Sequence, residues 1–334
     1  MAYNYHFKSI YDLLKVFSNE QICTSYLEKL RWNGNVESPF MPDSKVYKLA
    51  NNRYKCSKTN KYFNVKTNTI FEGTKLPLQK WFLAIYLLSS NKKGISSYQL
   101  ANELSITQKT AWFVLQRIRH ATLDNIFELA GDNIQVDETF VGGKNKNRHW
   151  DKKVEQSQGR SYKDKTPVLG ILEAKEVEIN ERPHKVIANK TVKEKTIVKD
   201  SKVLCFTIPN TQREVIQPLI LDNVKLGSTI TSDEWRAYRG LDKYYTHNIT
   251  DHSIRQYVNA NGDTSNAVEN VWTHFKRMWA STYSGRITPK HLQKYVSEYS
   301  FRFNTKTKDN SERFNILLSD SWGKRLTYKK LIAA

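Results

Sequence analysis

The sequence predicts an α/β protein in which a domain with a mixed β-sheet follows a small β unit and a group of helices. Strand-like and helix-like segments alternate after about residue 131, which is typical of an α/β domain. Short strand-like pieces separated by turn residues occupy residues 37–71, between segments of helical periodicity. The 334 residues, of which 39% are hydrophobic, are enough to build two or three cores.

Residues 7–32 are predicted to form two short amphipathic helices separated by a break at Ser18–Asn19. Apolar side chains recur there at helical spacing, as Ile10, Leu13, Leu14 and Phe17. The following segment changes to strand-like pieces, KVYKL, NRYKC and KYFNV, with Asn-Asn and Thr-Asn turn signals between them. We therefore expect a small β unit after the first two helices.

Three helical segments come next. Residues 78–89 are largely apolar and are expected to be buried, whereas residues 96–104 begin with a capping pattern and residues 107–120 follow after a very short joint. Two helices joined in this way fit either a helix-turn-helix or an ordinary helical hairpin. In the helix-turn-helix interpretation, Ala111, Leu115 and Ile118 pack inward, and the residues presented to DNA are Gln108, Lys109, Gln116 and Arg117.

The alternating region begins with the strand NIQVDETFV and a loop at 144–165. This loop carries eight Lys/Arg against three Asp/Glu, and it is either a solvated loop or a DNA contact through Lys144, Lys146 and Arg148. The predicted elements that follow are the strands TPVLGILEA and HKVIANKTV, a helix over 213–223, the strand STITSDE and a final set of helices. This order predicts a mixed sheet.

The overall charge favours a polyanionic partner. The chain carries 53 Lys+Arg against 33 Asp+Glu, a formal net charge of +20, and nucleic acid is the polyanion that best fits this excess. Three cysteines are too few for a disulfide framework, which suits a reducing compartment. The N-terminus lacks the apolar segment of a signal peptide and no 18-residue apolar run occurs, so we expect a cytoplasmic protein without a membrane partner.

Three acids stand out as candidates for chemistry. Asp137 is placed at the end of the strand 134–136, facing away from Glu138, and Asp233 is placed at the end of the strand 229–231. Ligands gather at strand ends in α/β sheets, although a single such Asp often serves only a turn. Glu269 lies on the helix NAVENVWTHFKRMW, where it shares one edge of the apolar stripe with Lys276. The alternative for that last pair is a surface ion pair.

Together these acids predict a metal site. Three carboxylates that converge repel one another unless cations join them, and hard oxygen ligands select Mg²⁺ or Mn²⁺. Two such ions about 3.5–4 Å apart can activate a water or a 3′-hydroxyl for an in-line phosphoryl displacement. In this hypothesis the acids hold metal and the surrounding Lys and Arg hold DNA phosphates.

At these residues the chain resembles bacterial insertion-sequence transposases of the DDE type, in the group related to the eukaryotic Merlin elements. The resemblance spans most of residues 7–304. It is carried by TNTIFEGTKLPLQKWFLAIYLLSSNKKGISSYQLANEL, KTAWFVLQRIR, VDETFVGGKNKNRH, TSDEWRAY, NAVENVWTHFKRMW and HLQKYVSEYSFRFN. It implies an RNase H-like catalytic domain with Asp137, Asp233 and Glu269 as the metal-binding triad. It also implies that Asn266 and Lys276 support the metal site and contact DNA phosphate, and that Trp272 packs.

The resemblance also sets expectations for the domains. We expect N-terminal helices with a degenerate zinc ribbon at 1–74, a helix-turn-helix at 75–125, the catalytic domain at 131–310 and a C-terminal tail at 311–334. The group usually carries two Cys-x-x-Cys pairs, which align here with Ser38, Met41, Cys56 and Thr59. One thiolate of four is not enough for structural zinc, so we expect none. The aromatic residues expected to hold the β unit together by packing instead are Tyr47, Tyr54, Tyr62 and Phe63.

The implied activity is that of a DNA transposase. Such a protein binds the terminal inverted repeats of its element through about residues 1–121, assembles as a homo-oligomer on DNA, cuts at the element's ends and joins the free 3′-hydroxyl to target DNA. Two alternatives stay open: a decayed or recruited transposase that only binds DNA, and an RNase H-like nuclease without strand transfer.

Overall fold

The computed structural model of the chain describes residues 5–123, 127–142, 149–155, 165–183, 191–250, 266–285 and 287–333. The chain divides into two units, one made of Met1–Asp124 with Thr305–Ala334 and the other of Asn125–Asn304. Among the described residues, no helix has both the length and the apolar character needed to cross a bilayer.

The helices are α1 Ile10–Val16, α2 Glu20–Trp32, α3 Leu78–Ser90, α4 Ser97–Leu104, α5 Gln108–Ala121, α6 Arg213–Asn223, α7 Asn266–Ser281, α8 Pro289–Asn304, α9 Asn310–Ser319 and α10 Tyr328–Ala333. The strands are β1 Val46–Leu49, β2 Arg53–Cys56, β3 Tyr62–Phe63, β4 Ile134–Val141, β5 Thr166–Glu173, β6 Glu176–Pro183, β7 Thr191–Lys199, β8 Lys202–Thr207, β9 Thr229–Asp233 and β10 Thr246–Thr250.

The core of the first unit is built around aromatic side chains from both ends of the chain. The predicted break between α1 and α2 is confirmed, because Asn19 caps α2 by accepting a hydrogen bond from the N–H of Ile22. Phe17 packs edge-on against Phe82 of α3 at a ring-centroid distance of 4.8 Å. Phe314 of α9 contacts Phe82 at 5.3 Å, so the C-terminal helix completes this core.

The β unit is a three-stranded antiparallel sheet in the order β1-β2-β3. Tyr54 and Phe63 are only 3% and 4% exposed and their rings stack at 5.6 Å, which confirms that they pack. The same expectation is wrong for Tyr47 and Tyr62, which are 47% and 55% exposed. The register explains the difference, because both tyrosines lie opposite Lys55 on the face turned away from Tyr54.

Helices α4 and α5 follow the predicted boundaries. Their N-caps are Ser96 and Thr107, and Ser105 ends α4 in the left-handed conformation with φ of 49°. The inward positions Ala111, Leu115 and Ile118 are buried as predicted.

The expected exposure of Gln116 and Arg117 is wrong, since they are 0% and 4% exposed. Arg117 donates a 2.6 Å hydrogen bond to the carbonyl of Glu72 and lies 5.2 Å from the ring of Trp81, so its charge is used inside the first unit.

The second unit is a mixed α/β structure with a five-stranded mixed sheet in the order β10-β9-β4-β5-β8, consistent with an RNase H-like domain. Strands β10, β9 and β4 pair in parallel, whereas β5 pairs antiparallel with both β4 and β8. Ile134 and Val136 join a core with α6, while Val141 on the other face joins a core with α7 and α8. Strands β8 and β10 and the hairpin of β6 and β7 were not predicted from the sequence. Most of the predicted strand HKVIANKTV lies outside the described residues.

Candidate active site

Asp137 lies on β4, the central strand of the five-stranded sheet. The strand continues to Val141, so the expectation that Asp137 ends the strand is wrong. What ends near Asp137 is the pairing with β9, which stops at Gln135 opposite Thr231. The two parallel strands separate beyond this point, which leaves Asp137 on an edge of β4 that is not paired to β9.

Asp233 is the last residue of β9, as predicted. It lies two residues after Thr231, as Asp137 lies two residues after Gln135, and its negative charge contributes to the raised pKa of Asp137. Its Oδ1 accepts a 3.0 Å hydrogen bond from the backbone N–H of Trp235, so one oxygen serves the turn that follows the strand. Asp233 therefore also stabilises the turn after β9, as the alternative interpretation of this acid predicts.

Glu269 is brought to the same part of the sheet by two hydrogen bonds that attach α7 to β4. The side-chain Oε1 of Gln135 accepts from the N–H of Val268 at 3.1 Å, which satisfies one of the open donors in the first turn of α7. The indole Nε1–H of Trp272 donates to Oδ2 of Asp137 at 2.9 Å. Glu269 lies between these two attachment points and is exposed at the start of the helix.

Gly170 makes the contact between α7 and the sheet possible. It lies opposite Asp137 on β5. A Cβ atom at this position would lie 2.5 Å from Cζ2 of Trp272, which is far too close. The missing side chain lets the indole lie against β5 while its N–H reaches Asp137. Trp272 is 5% exposed, so it packs as expected and also supports an acid.

The electrostatic surroundings of Asp137 include the two other acids. Burial raises the pKa of Asp137 to about 6, and the negative charges of Asp233 and Glu269 push it in the same direction. Hydrogen bonds from the backbone of Glu138 and from Trp272 oppose this rise. An acid with a raised pKa beside two further carboxylates is a typical signature of a functional site.

The donor chemistry of this site fits a divalent cation, but the side chains do not converge on one point. Three carboxylates are the hard oxygen donors that Mg²⁺ and Mn²⁺ prefer, and a cation would counter both the burial and the repulsion that raise the pKa of Asp137. Within the described ranges, however, no three His, Cys, Asp or Glu side chains are close enough to hold one ion.

The remaining predicted residues fall into three groups. Asn266 is the first residue of α7 and Lys276 lies seven residues after Glu269, and both are exposed. Gln108 and Lys109 begin α5 in the first unit, where Gln108 donates to the hydroxyl of Ser97 at 2.8 Å. Lys144, Lys146 and Arg148 lie outside the described residues.

Sequence reasoning missed the residues that position the acids. Gln135 is 1% exposed and holds the start of α7, and the indole N–H of Trp272 was overlooked because the residue was assigned to packing alone. The spacing of Glu269 and Trp272, three residues apart on one helical face, was the available signal for the second of these. Nothing in the sequence marks Gly170 as the contact point for an indole.

Three of the four positions that align with zinc ligands lie together, because the side chains of Ser38 and Thr59 both act on the thiol of Cys56. Cys56 and Ser38 are buried, at 0% and 2% exposure, whereas Met41 is 40% exposed. The thiol of Cys56 lies 2.9 Å from the hydroxyl of Ser44. The cysteine is thus held by a hydroxyl partner.

Comparisons with known proteins agree with these features. Residues 128–304 match the model of the ISXO2-like transposase domain. The chain is 24% identical over 317 residues to an uncharacterized protein in transposable element ISH50 of Halobacterium salinarum, covering 91% of this chain and 98% of that protein. It is also 33% identical over 104 residues to an uncharacterized transposase-like protein of Haemophilus influenzae, covering 31% of this chain and 81% of that protein.

Proposed function

Because this chain belongs to the family of ISXO2-like transposases, we propose that it is the DDE transposase of an insertion sequence, cutting DNA at the element's ends and joining a 3′-hydroxyl to target DNA. The observation that carries the proposal is the electrostatic coupling of Asp137 with Asp233 and Glu269, three acids supplied by two neighbouring strands and a helix. The RNase H-like character of the second unit supports the same proposal.

The three acids would hold two divalent ions, Mg²⁺ or Mn²⁺. When bound, such ions supply Lewis-acid stabilisation of the attacking and leaving oxygens in a phosphoryl displacement. The protein's own part is positional: Trp272 would orient the carboxylate of Asp137, and Gln135 would hold the first turn of α7, which carries Glu269. Asn266 supports the metal site and Lys276 contacts a DNA phosphate.

The first unit would bind the terminal inverted repeats. Helices α4 and α5 act as the helix-turn-helix, and recognition helices read DNA mainly with their N-terminal residues. Gln108 and Lys109 occupy that end of α5. Gln116 and Arg117 are buried, so we do not propose that they contact DNA. The β unit is a degenerate zinc ribbon that keeps its fold without structural zinc. The protein would act in the cytoplasm as a homo-oligomer on DNA.

Asp233→Ala tests the catalytic proposal. We expect Mg²⁺-dependent cleavage of DNA bearing the element's ends to fall by at least about 100-fold, because one member of the metal-binding set is lost. Binding of the same DNA in a gel-shift assay should stay unchanged. Glu234→Ala is the matched control, since Glu234 is an exposed acid next to Asp233 that the proposal gives no role. Full cleavage by Asp233→Ala would refute the site assignment.

Two observations favour a second candidate, a recruited transposase that binds DNA without cutting it. The acids do not converge among the described residues, and the ribbon has lost three of four thiolates. Nicking assays with Mg²⁺ and Mn²⁺ separate the candidates, because a pure binding protein shifts end DNA in a gel and leaves it intact. A nuclease without strand transfer would cut the DNA and yield no joined products.

A further inference from the structure

One face of the β1–β3 sheet carries aromatic and cationic side chains in a row across all three strands. Tyr47 on β1 lies opposite Lys55 on β2, and Lys55 lies opposite Tyr62 on β3. Side chains that are directly opposite in antiparallel strands project to the same face. Arg53, two residues before Lys55, and Lys45, two residues before Tyr47, share that face by the period of two.

The rings of Tyr47 and Tyr62 do not pack in the core beneath the sheet. Tyr54 and Phe63 on the opposite face fill the core, whereas Tyr47 and Tyr62 keep 47% and 55% of their surface exposed. Neighbouring strands lie about 4.8 Å apart, so the two exposed rings are roughly 10 Å apart across the sheet. Two rings at this separation form a platform for flat ligands.

The cations on this face are held close to the rings. The Nζ of Lys45 lies 5.4 Å from the centre of the Tyr47 ring, and the guanidinium carbon of Arg53 lies 5.3 Å from that of Tyr62. Lys55 approaches the Tyr62 ring at 5.8 Å. Residues 44–71 contain seven Lys/Arg and no Asp or Glu, so the surface is complementary to a polyanion.

We infer that this sheet face binds an unpaired stretch of DNA, with bases stacked on Tyr47 and Tyr62 and phosphates held by Lys45, Arg53 and Lys55. Base stacking on aromatic side chains combined with backbone neutralisation is the general mode of single-strand binding. The base faces of duplex DNA are covered by stacking, so a duplex would contact the cations and would not stack on the rings. The inference rests on the proposed DNA-binding function and is independent of the three acids.

The test is binding of a short fluorescein-labelled oligothymidylate to the full chain, followed by fluorescence anisotropy. Tyr47→Ala and Tyr62→Ala should each weaken the Kd by about 5-fold or more, the value expected when one stacked base is lost. Tyr47→Phe and Tyr62→Phe should bind like the unaltered protein, because the ring face is kept. The Kd for a duplex of equal length should change less than about 2-fold in all four variants, because stacked base pairs leave the rings no base to contact.

Tyr11→Ala is the matched control. Tyr11 is 66% exposed on α1 with Lys15 at 4.2 Å from its ring, so it repeats the tyrosine–cation pair away from the sheet. Its removal should leave oligothymidylate binding unchanged. Ultraviolet crosslinking of an iodouracil-substituted oligonucleotide to the unaltered protein gives a second measurement that needs no variant, and the crosslinked peptides should contain Tyr47 or Tyr62.

Several outcomes would overturn the inference: unchanged affinity in both alanine variants, equal losses for duplex and single strand, or crosslinks confined to other residues. These outcomes do not touch the cleavage activity that tests the proposed function. Conversely, a protein that binds end DNA without cutting it and needs both tyrosines for oligothymidylate would remove the catalytic proposal and keep this one.

Discussion

At the scale of single residues, the indole N–H of Trp272 is the contact that links packing to the candidate chemistry. Its 2.9 Å hydrogen bond stabilises the charged form of Asp137, which burial and two neighbouring acids disfavour. A half-buried carboxylate needs such a donor to stay charged and oriented. Residues that orient metal ligands in this way usually affect metal affinity by about 10- to 100-fold.

Trp272→Phe should therefore raise the Mg²⁺ concentration needed for half-maximal DNA cleavage by about 10- to 100-fold. Phenylalanine keeps an aromatic ring at this position and lacks the N–H. Trp279→Phe on the same helix is the control, because the indole N–H of Trp279 is buried and has no hydrogen-bond partner among the described residues. An equal shift in both variants would mean that the effect is structural.

The raised pKa of Asp137 predicts how stability changes with pH in the absence of divalent ions. The folded protein holds a proton on this carboxyl up to about pH 6, whereas the unfolded chain loses it near the ordinary value of 3.8. The contribution of Asp137 to the free energy of unfolding is therefore largest below about pH 4, and it decreases as the pH rises to about 6. The shift corresponds to a loss of up to about 3 kcal/mol.

Urea unfolding of the unaltered protein and of Asp137→Asn across this range isolates the contribution, because the asparagine variant lacks the titrating group. The stability difference between the two should grow in favour of the variant between pH 4 and pH 6. Addition of Mg²⁺ should reduce that difference. A constant difference would show that Asp137 titrates at its ordinary pKa.

At the scale of elements, the contact of α7 with the sheet depends on a missing side chain in β5. Gly170→Ala places a Cβ atom 2.5 Å from the Trp272 ring, and overpacking of this kind typically costs about 1–3 kcal/mol. We expect the substitution to lower the unfolding free energy by that amount and to reduce cleavage, because the indole is displaced from Asp137. The double variant Gly170→Ala with Trp272→Phe should recover part of the stability, as a double-mutant cycle would show. A purely additive cycle would contradict the steric explanation.

Elements were predictable from sequence wherever local signals were strong. Ser96 and Thr107 are N-caps as expected, and the period of two correctly separated Asp137 from Glu138 on β4. The wrong exposure predicted for Gln116 and Arg117 has one cause, which is that amphipathicity does not reveal which polar side chains are buried. The sequence pattern predicts that Arg117 is a surface cation. It is buried because it donates a hydrogen bond to the carbonyl of Glu72 and packs against the ring of Trp81.

At the scale of the whole molecule, the first unit contains segments from both ends of the chain. The segment 311–334, expected from the sequence to be a tail, contains α10 and all but the first residue of α9 within that unit. Phe314, Leu317 and Leu318 are all fully buried. Contacts between Phe314 and the rings of Phe7 and Phe82 explain why a C-terminal residue supports N-terminal helices.

Phe314→Ala should consequently destabilise the first unit by about 3–5 kcal/mol, the usual cost of removing a buried phenylalanine. Hydrogen exchange should lose protection in α1, α3 and α9, and the strands β4, β5 and β9 of the second unit should keep theirs. Equal loss of protection in both units would contradict this assignment.

The sequence by itself determined the periodicity of the helices, the caps, the net charge of +20 and the positions of the three candidate acids, because each of these is a local property of composition or spacing. Only the tertiary structure decided that Asp137 is held by Trp272 across Gly170, that Arg117 is buried, and that the exposed tyrosines align with lysine across a sheet. Those facts depend on which strands pair and in which register. Contacts between residues more than a hundred positions apart, such as Asp137 with Trp272, leave no local pattern from which they could be derived.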